Sequence, residues 1–161
     1  IIQIVPHRAD GFKMKGLALE RLGQPREAAR CYENALKSQL DDPIAWYSVG
    51  AMLCQCGEAE RALEFLDQCL KLKPDYQMAL ANRGGVLITL GRTEEALAVL
   101  DKSLKLDPSD LVALWSKAVA LWNLGRTDDA VGCYRSFVTR ARGKGGWEGH
   151  VRTALARIEG N

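Results

Sequence analysis

The chain has 161 residues, with 22 basic and 20 acidic side chains and a net charge of +2, so its overall charge does not indicate nucleic-acid binding. Its five cysteines are an odd number without framework spacing, which argues against a disulfide-stapled secreted protein and favours a reducing, cytoplasmic location. No run of about 18 apolar residues occurs, so we expect no membrane span.

The chain repeats itself with a period of 34 residues. LKLKPDYQMAL at 70–80 returns as LKLDPSDLVAL at 104–114, and the same shift aligns four alanines, four leucines and four turn glycines. A fixed period of this size is typical of stacked-repeat architectures. In chain order, we predict a remnant of a preceding helix or repeat (1–8), four repeats (9–42, 43–76, 77–110 and 111–144) and a C-terminal capping helix (145–161).

The first segment, residues 1–8, has the pattern of a helix end. Shifted by 68 residues, Pro6 falls on Pro74, and the apolar residues before it match those of 70–72. We interpret the segment as the last turn of a helix from an earlier repeat, which would make the chain a piece of a longer protein. The alternative is an accidental apolar tail.

Each repeat is predicted to be a helix, a short turn and a second helix. In residues 43–76 the first apolar stripe contains Trp46, Val49 and Leu53, and Gly57 interrupts it. A second stripe runs from Ala62 to Leu70 and ends before a proline. In the third and fourth repeats, Thr93 and Thr127 precede acidic pairs, which predicts threonine N-caps.

Small residues recur where the two helices of a repeat should face each other: Gly16, Gly50, Gly84 and Ala118 in the first helices, and Ala28, Ala62, Ala96 and Ala130 in the second. A lone hairpin cannot bury its apolar stripe, so each repeat needs a neighbour. The pattern Trp46–Gly50–Leu53–Gly57–Ala62–Leu66–Pro74 resembles the tetratricopeptide repeat over residues 9 to 144. This resemblance implies an all-α fold, a right-handed superhelical solenoid of antiparallel helix hairpins.

Three features depart from the family pattern. Leu40 and Arg142 stand where the family usually has proline, and Phe137 replaces a small residue. They put in doubt the local packing at the ends of the array. After a glycine-rich linker, Trp147, Val151, Leu155 and Ile158 form one helical stripe, which predicts a helix that covers the last hairpin.

The sequence does not contain a recognisable set of catalytic side chains. Its two histidines, His7 and His150, lie near the chain ends, and no nucleophile–base–acid set can be assembled around them. Cys54 and Cys56 point to opposite sides of a helix, and no second pair completes a metal site. We therefore predict no enzyme activity, no cofactor and no metal.

By the same resemblance, the first helix of each hairpin lines a concave groove that holds a ligand. The resemblance places these residues in the groove: Lys13, Leu17, Tyr47, Ala51, Cys54, Met78, Asn82, Gly85, Ile88, Trp115, Val119, Trp122 and Asn123. Family members that clamp chaperone C-termini use lysines, asparagines and an arginine. Here Lys13 matches, but Leu17, Ser48, Met78 and Asn82 do not, so such a clamp is not expected.

The predicted groove is apolar, which favours an apolar or amphipathic peptide segment of another protein as the ligand. The alternative is that these side chains pack between repeats or against a neighbouring helix. Two other functions stay open. One is self-association into a homo-oligomer, and the other is binding of nucleic acid or an acidic partner by the basic end, which has a net charge of +4 from Arg135 onward. We rank the peptide scaffold first and nucleic-acid binding last.

Overall fold

A computed structural model describes the chain from residue 5 to residue 160, with side chains from Arg8 onward. This part of the chain contains nine α-helices and no β-strand. The helices are α1 (Val5–Arg21), α2 (Pro25–Leu36), α3 (Pro43–Gln55), α4 (Ala59–Leu72), α5 (Gln77–Thr89), α6 (Thr93–Leu106), α7 (Leu111–Asn123), α8 (Thr127–Ala141) and α9 (Glu148–Glu159).

The helices form two compact units, Ile1–Ala79 (unit 1) and Leu80–Asn161 (unit 2). In unit 1, α1 packs on α2, α2 on α3, and α3 on α4. In unit 2, α6 packs on α7, α7 on α8, and α8 on α9. The predicted all-α fold of repeated helix hairpins is confirmed. None of the described helices combines the length and apolar character needed to cross a bilayer.

Helix α1 begins earlier than the repeat pattern predicts. It starts at Val5 and includes Pro6, so residues 5–8 are continuous with the first helix and do not end a preceding one. A proline in the first turn of a helix is tolerated because the N–H it lacks would have no partner there. Residues 1–4, which carry the rest of the predicted remnant, lie outside the described residues.

The two helices of a hairpin approach closely at one glycine. A methyl group on Gly50 would lie 2.8 Å from Leu66 Cγ, and one on Gly84 would lie 2.5 Å from Leu100 Cγ. The partner side chain follows the glycine by sixteen residues in each case, and Gly16 with Tyr32 repeats the arrangement. Leu66 and Leu100 are fully buried, so these contacts form the centre of each hairpin.

The turn between the two helices of a hairpin has the same geometry in each repeat. Gly57 has a φ of 74°, in the left-handed region that favours glycine, and Glu58 N–H donates to the Leu53 carbonyl at 3.0 Å. The equivalent bonds from Gln24, Arg92 and Arg126 measure 2.8–3.0 Å. Such a backbone bond satisfies a carbonyl that the helix end would leave unpaired.

The predicted threonine N-caps are wrong. Thr93 and Thr127 are the first residues of α6 and α8, and the cap positions are Arg92 and Arg126, without side-chain cap bonds. Each arginine instead pairs with an acid three residues later, as in Arg92 Nε to Glu95 Oε1 at 2.7 Å. The residue directly after the turn glycine takes the cap position, so the cap falls one residue earlier than the sequence pattern suggests.

Side-chain capping occurs instead at first helices. Asp42 Oδ1 accepts from the backbone N–H groups of Ile44 and Ala45 at the start of α3, and Asp110 Oδ1 accepts from the Val112 N–H at the start of α7. Leu40, which replaces a proline, presents its carbonyl to Trp46 Nε1 at 2.7 Å. This hydrogen bond ties the connection between α2 and α3 to the first turn of α3.

The C-terminal helix α9 covers the last hairpin. Phe137 is completely buried, and its ring lies 5.5 Å from the Trp147 ring. Val151, Leu155 and Ile158 pack against the same core. The large side chain at position 137 therefore fills space that α9 and Trp147 enclose.

The close contact at Gly84 gives a test of the packing. We expect Gly84→Val to lower the free energy of unfolding by about 2–3 kcal/mol because the added methyl groups overlap Leu100. Gly132→Val is the matched control, since a Cβ added to this exposed helical residue would meet no atom within 4 Å outside its own stretch of helix. The control should change stability by less than about 0.5 kcal/mol. Urea unfolding followed by circular dichroism measures both, and equal effects would contradict the close contact.

Candidate functional site

The predicted ligand-binding residues of unit 1 lie on the first helices, and several of them are exposed apolar side chains. Leu17 on α1 is 37% exposed and Met78 is 45% exposed. Ile44, at the start of α3, is a further exposed apolar side chain, at 60%. Tyr47 and Ala51, on the same helix as Ile44, are half-buried. We call Leu17, Ile44, Tyr47, Ala51 and Met78 the unit 1 patch.

A ring contact links two parts of the unit 1 patch. The Tyr47 ring meets the Tyr76 ring edge-on, with centroids 5.1 Å apart, and Lys73 Nζ lies 4.8 Å from the Tyr76 centroid. Tyr76 precedes Met78 by two residues, so this contact places Tyr47 and Met78 in one region of unit 1. Edge-on aromatic pairs are favourable, so the contact with Tyr76 holds the Tyr47 ring in place within the patch.

Lys13 is held by acceptors within the chain. Its ammonium lies 3.0 Å from Asp42 Oδ2, 3.0 Å from Gln39 Oε1 and 3.3 Å from Asp10 Oδ1. The hydrogen bond to Asp42 is the main cause that raises the pKa of Lys13 above its ordinary value of 10.5. Lys13 is therefore charged at neutral pH, and its charge is balanced by neighbouring carboxylates.

The Lys13–Asp42 pair also locates the patch between two helices. Leu17 follows Lys13 by one helical turn and shares its face of α1. Ile44 follows Asp42 by two residues in the first turn of α3. The ion pair joins α1 to the start of α3, the two helices that carry Leu17 and Ile44.

Cys54, the last predicted residue of unit 1, is a half-buried thiol. Burial raises its pKa to about 11, so the thiol is protonated at neutral pH and is a poor nucleophile. Within the described residues no cluster of three histidine, cysteine or carboxylate side chains could hold a metal ion. Cys54 thus contributes apolar surface beside the patch.

In unit 2, the two predicted tryptophans are half-buried against neighbouring helices. The Trp115 ring lies 5.6 Å from Tyr134, 5.4 Å from Phe137 and 4.7 Å from His150. The Trp122 ring contacts Tyr134 and is covered by the Arg157 guanidinium, 4.3 Å from its centroid. Since His150 and Arg157 belong to α9, the capping helix covers part of both rings.

The remaining predicted residues of unit 2 differ in exposure. Asn82, Gly85, Ile88 and Val119 are half-buried, and Asn123 is exposed. A methyl group on Gly85 would meet Ser116 Oγ at 3.6 Å, an ordinary contact, so α5 and α7 lie close together there. Sequence reasoning predicted the capping helix but missed its contacts with the tryptophans. Arg157, seven residues after His150 and therefore on the same face of α9, was the available signal, because arginine stacks readily on aromatic rings.

Comparisons with known proteins identify the repeat. Sequence models of the tetratricopeptide repeat match residues 13–77, 55–116 and 111–136. No curated protein sequence matches the chain significantly.

Three solved structures illustrate the structural similarity. MamA (41-end) from Desulfovibrio magneticus RS-1 superimposes with a TM-score of 0.77 and 24% identity, over 94% of this chain and 86% of that chain. TTC0263, a thermophilic tetratricopeptide repeat protein of Thermus thermophilus, gives 0.77 and 22%, over 93% and 80%. The first repeat domain of Spaghetti (RPAP3), bound to the HSP90 peptide SRMEEVD, gives 0.71 and 21%, over 78% and 99%. At these identities the similarity concerns the fold.

The Lys13–Asp42 pair generates a prediction about stability. Lys13→Met should lower the free energy of unfolding at about pH 8 by roughly 1 kcal/mol, because it leaves the Asp42 carboxylate without its cation. Because the folded state raises the pKa of Lys13, the contribution is complete below pH 10.5 and is lost as the pH rises through the folded-state pKa.

Urea unfolding of the wild type and Lys13→Met across this pH range measures the difference. The two curves should converge at high pH. A stability difference that stays constant above the pKa of Lys13 would show that the lysine stabilises the fold by packing alone.

Proposed function

The chain belongs to the tetratricopeptide repeat family, and we propose that it is a protein-interaction scaffold whose unit 1 patch binds an apolar or amphipathic peptide segment of another protein. The observation that carries the proposal is the exposure of Ile44 and Met78, at 60% and 45%, close in sequence to Tyr47 and Tyr76, whose rings are in contact. Grouped exposed apolar side chains on a folded domain mark binding surfaces, and tyrosine is enriched at interface hot spots.

The charges around the unit 1 patch limit the kind of ligand. Lys13 is neutralised by Asp42 and Asp10, so it does not offer a free cation to a ligand carboxylate. Asp41 and Asp10 are exposed nearby. The local charge is therefore not positive, which disfavours an acidic chaperone tail such as the HSP90 peptide that the Spaghetti domain holds. A segment with apolar anchors and neutral or basic flanks fits better.

The tryptophans of unit 2 are less available to a ligand than the unit 1 patch. Trp115 and Trp122 already contact α8 and α9, so only their remaining surface is open to a ligand. We assign the anchoring contacts to the unit 1 patch. Binding that required both full indole rings would need α9 to move.

Two other functions have less support. The basic end is partly engaged within the chain, because the Arg157 guanidinium covers the Trp122 ring. This weakens the case for an acidic or nucleic-acid partner there. Self-association through the same patch is tested by the oligomeric state. The five free cysteines favour a cytoplasmic location, and the residues described above supply no catalytic set, so the proposed function is non-enzymatic.

The proposal is tested with peptides selected from a random library displayed on phage, using the full chain as bait. Selected peptides should be rich in large apolar residues. Ile44→Lys combined with Met78→Lys should weaken their binding at least about tenfold in fluorescence anisotropy, since each lysine places a charge where an apolar anchor is desolvated.

A matched control uses apolar residues of similar exposure elsewhere. Leu72→Lys with Leu106→Lys changes side chains that are 47% and 46% exposed at the ends of α4 and α6. This control should bind the peptides like the wild type, and circular dichroism should show equal helix content in all three proteins. Equal loss in both double variants, or in neither, would contradict a site at the patch. Mass doubling of the free chain, abolished by the patch variant alone, would indicate self-association instead.

A further inference from the structure

The connection between α2 and α3 combines an acidic side chain with exposed apolar ones. Leu40 is 66% exposed and Ile44 is 60% exposed, and Asp41 between them in sequence is exposed as well. The connection joins two helices that pack on each other, so it belongs to the body of unit 1. It also borders the unit 1 patch, because Ile44 is a member of that patch.

The neighbouring carboxylate of Asp42 is fully engaged within the fold. Its Oδ1 accepts from the backbone N–H groups of Ile44 and Ala45, and its Oδ2 accepts from Lys13 Nζ at 3.0 Å. Asp42 therefore caps α3 and neutralises Lys13. Both of its oxygens have partners in the chain, so it has little to offer a ligand.

The carboxylate of Asp41, in contrast, lies at the surface beside cations that are already engaged. Lys37, four residues earlier, donates to Asn34 Oδ1 at 2.8 Å. The Lys13 ammonium is held by three acceptors of the chain. Asp41 is thus the carboxylate of this connection that a cation of a bound ligand can approach.

The charge at this place is opposite in sign to that of the whole chain. Asp10, Asp41 and Asp42 supply three carboxylates against the one ammonium of Lys13, a net charge of −2, whereas the chain carries +2. Exposed charges more than about 10 Å apart are largely screened at 0.1 M salt. A ligand docked on the unit 1 patch is therefore affected mainly by this local acidic group.

We propose that Asp41 determines the specificity of the unit 1 patch by pairing with an arginine or lysine of the bound segment. The inference rests on the proposed function and narrows the ligand to a basic amphipathic segment. The apolar side chains of the segment cover Ile44. The aliphatic stem of its basic residue packs beside Leu40, while the charged end reaches Asp41. An acidic segment in the same place is repelled.

The test uses the full chain and two fluorescein-labelled peptides, each about four helical turns long. Both peptides have leucines at the same positions, three and four residues apart, which gives each one apolar helical face. All other positions are lysine in one peptide and glutamate in the other. In fluorescence anisotropy at about 0.1 M salt, the lysine peptide should bind at least about tenfold more tightly. The net charge of the chain favours the glutamate peptide, so overall attraction cannot produce this preference.

Substitution of Asp41 supplies the decisive comparison. Asp41→Asn should weaken binding of the lysine peptide about threefold, and Asp41→Lys should bring the two affinities to within about threefold of each other. Glu64→Lys, at an exposed carboxylate on α4, makes the same change in net charge and should keep the wild-type preference. Circular dichroism should show equal helix content in all variants, so that the comparison is one of binding.

The outcomes separate this inference from the proposed function. Equal affinity of the wild type for both peptides, or a preference lost in Glu64→Lys as well as in Asp41→Lys, would overturn the role of Asp41. If Ile44→Lys with Met78→Lys then abolishes binding of both peptides, the unit 1 patch stands without this specificity. Binding of neither peptide to the wild type would overturn the inference, because the patch would not accept a basic amphipathic segment. Lysine-peptide binding that survives in the patch variant would overturn both proposals.

Discussion

The fold depends on the close approach of two helices at a residue without a side chain. In each of the first three repeats a glycine of the first helix faces a large residue sixteen positions later, and nothing larger than hydrogen fits between them without displacement. Because the helices meet there, the positions around the contact, such as Leu66 and Leu100, are fully buried. Val49 and Met52 of α3 are buried as well, with α2 packed on the same helix, whereas Ile44 at its start stays exposed.

Most of this arrangement could be predicted because the 34-residue period reports which positions face a neighbour. Turn glycines, buried alanines and the paired helices follow from that periodicity. The helix starts were less predictable. Threonine is a common N-cap residue, so the sequence predicted Thr93 as the cap of α6. In the structure Arg92 N–H donates to the Leu87 carbonyl, Arg92 takes the cap position and the helix begins at Thr93. Proline often follows the end of a helix, which is how the sequence pattern interpreted Pro6. A proline is equally suited to the first turn of a helix, and Pro6 lies there in α1.

The 34-residue period does not predict which residues of the candidate site stay exposed. The period treats Tyr47 and Trp115 as equivalent groove positions, yet their surroundings differ because only the fourth repeat is followed by α9. His150 and Arg157 approach the unit 2 tryptophans, whereas in unit 1 Ile44 and Met78 stay exposed. The helices that pack beside a repeated position determine whether its side chain stays exposed. The sequence of a single repeat does not show which helices those are.

Backbone amide NMR of the full chain, titrated with a peptide that it binds, tests the central claim most directly. If the ligand docks on unit 1, the amides of Leu17, Ile44 and Tyr47 should shift most, while those of α9 stay unchanged. Shifts concentrated at Trp115, Trp122, His150 and Arg157 would contradict this account. They would show that the ligand displaces α9 and that the tryptophans of unit 2 are the true anchors.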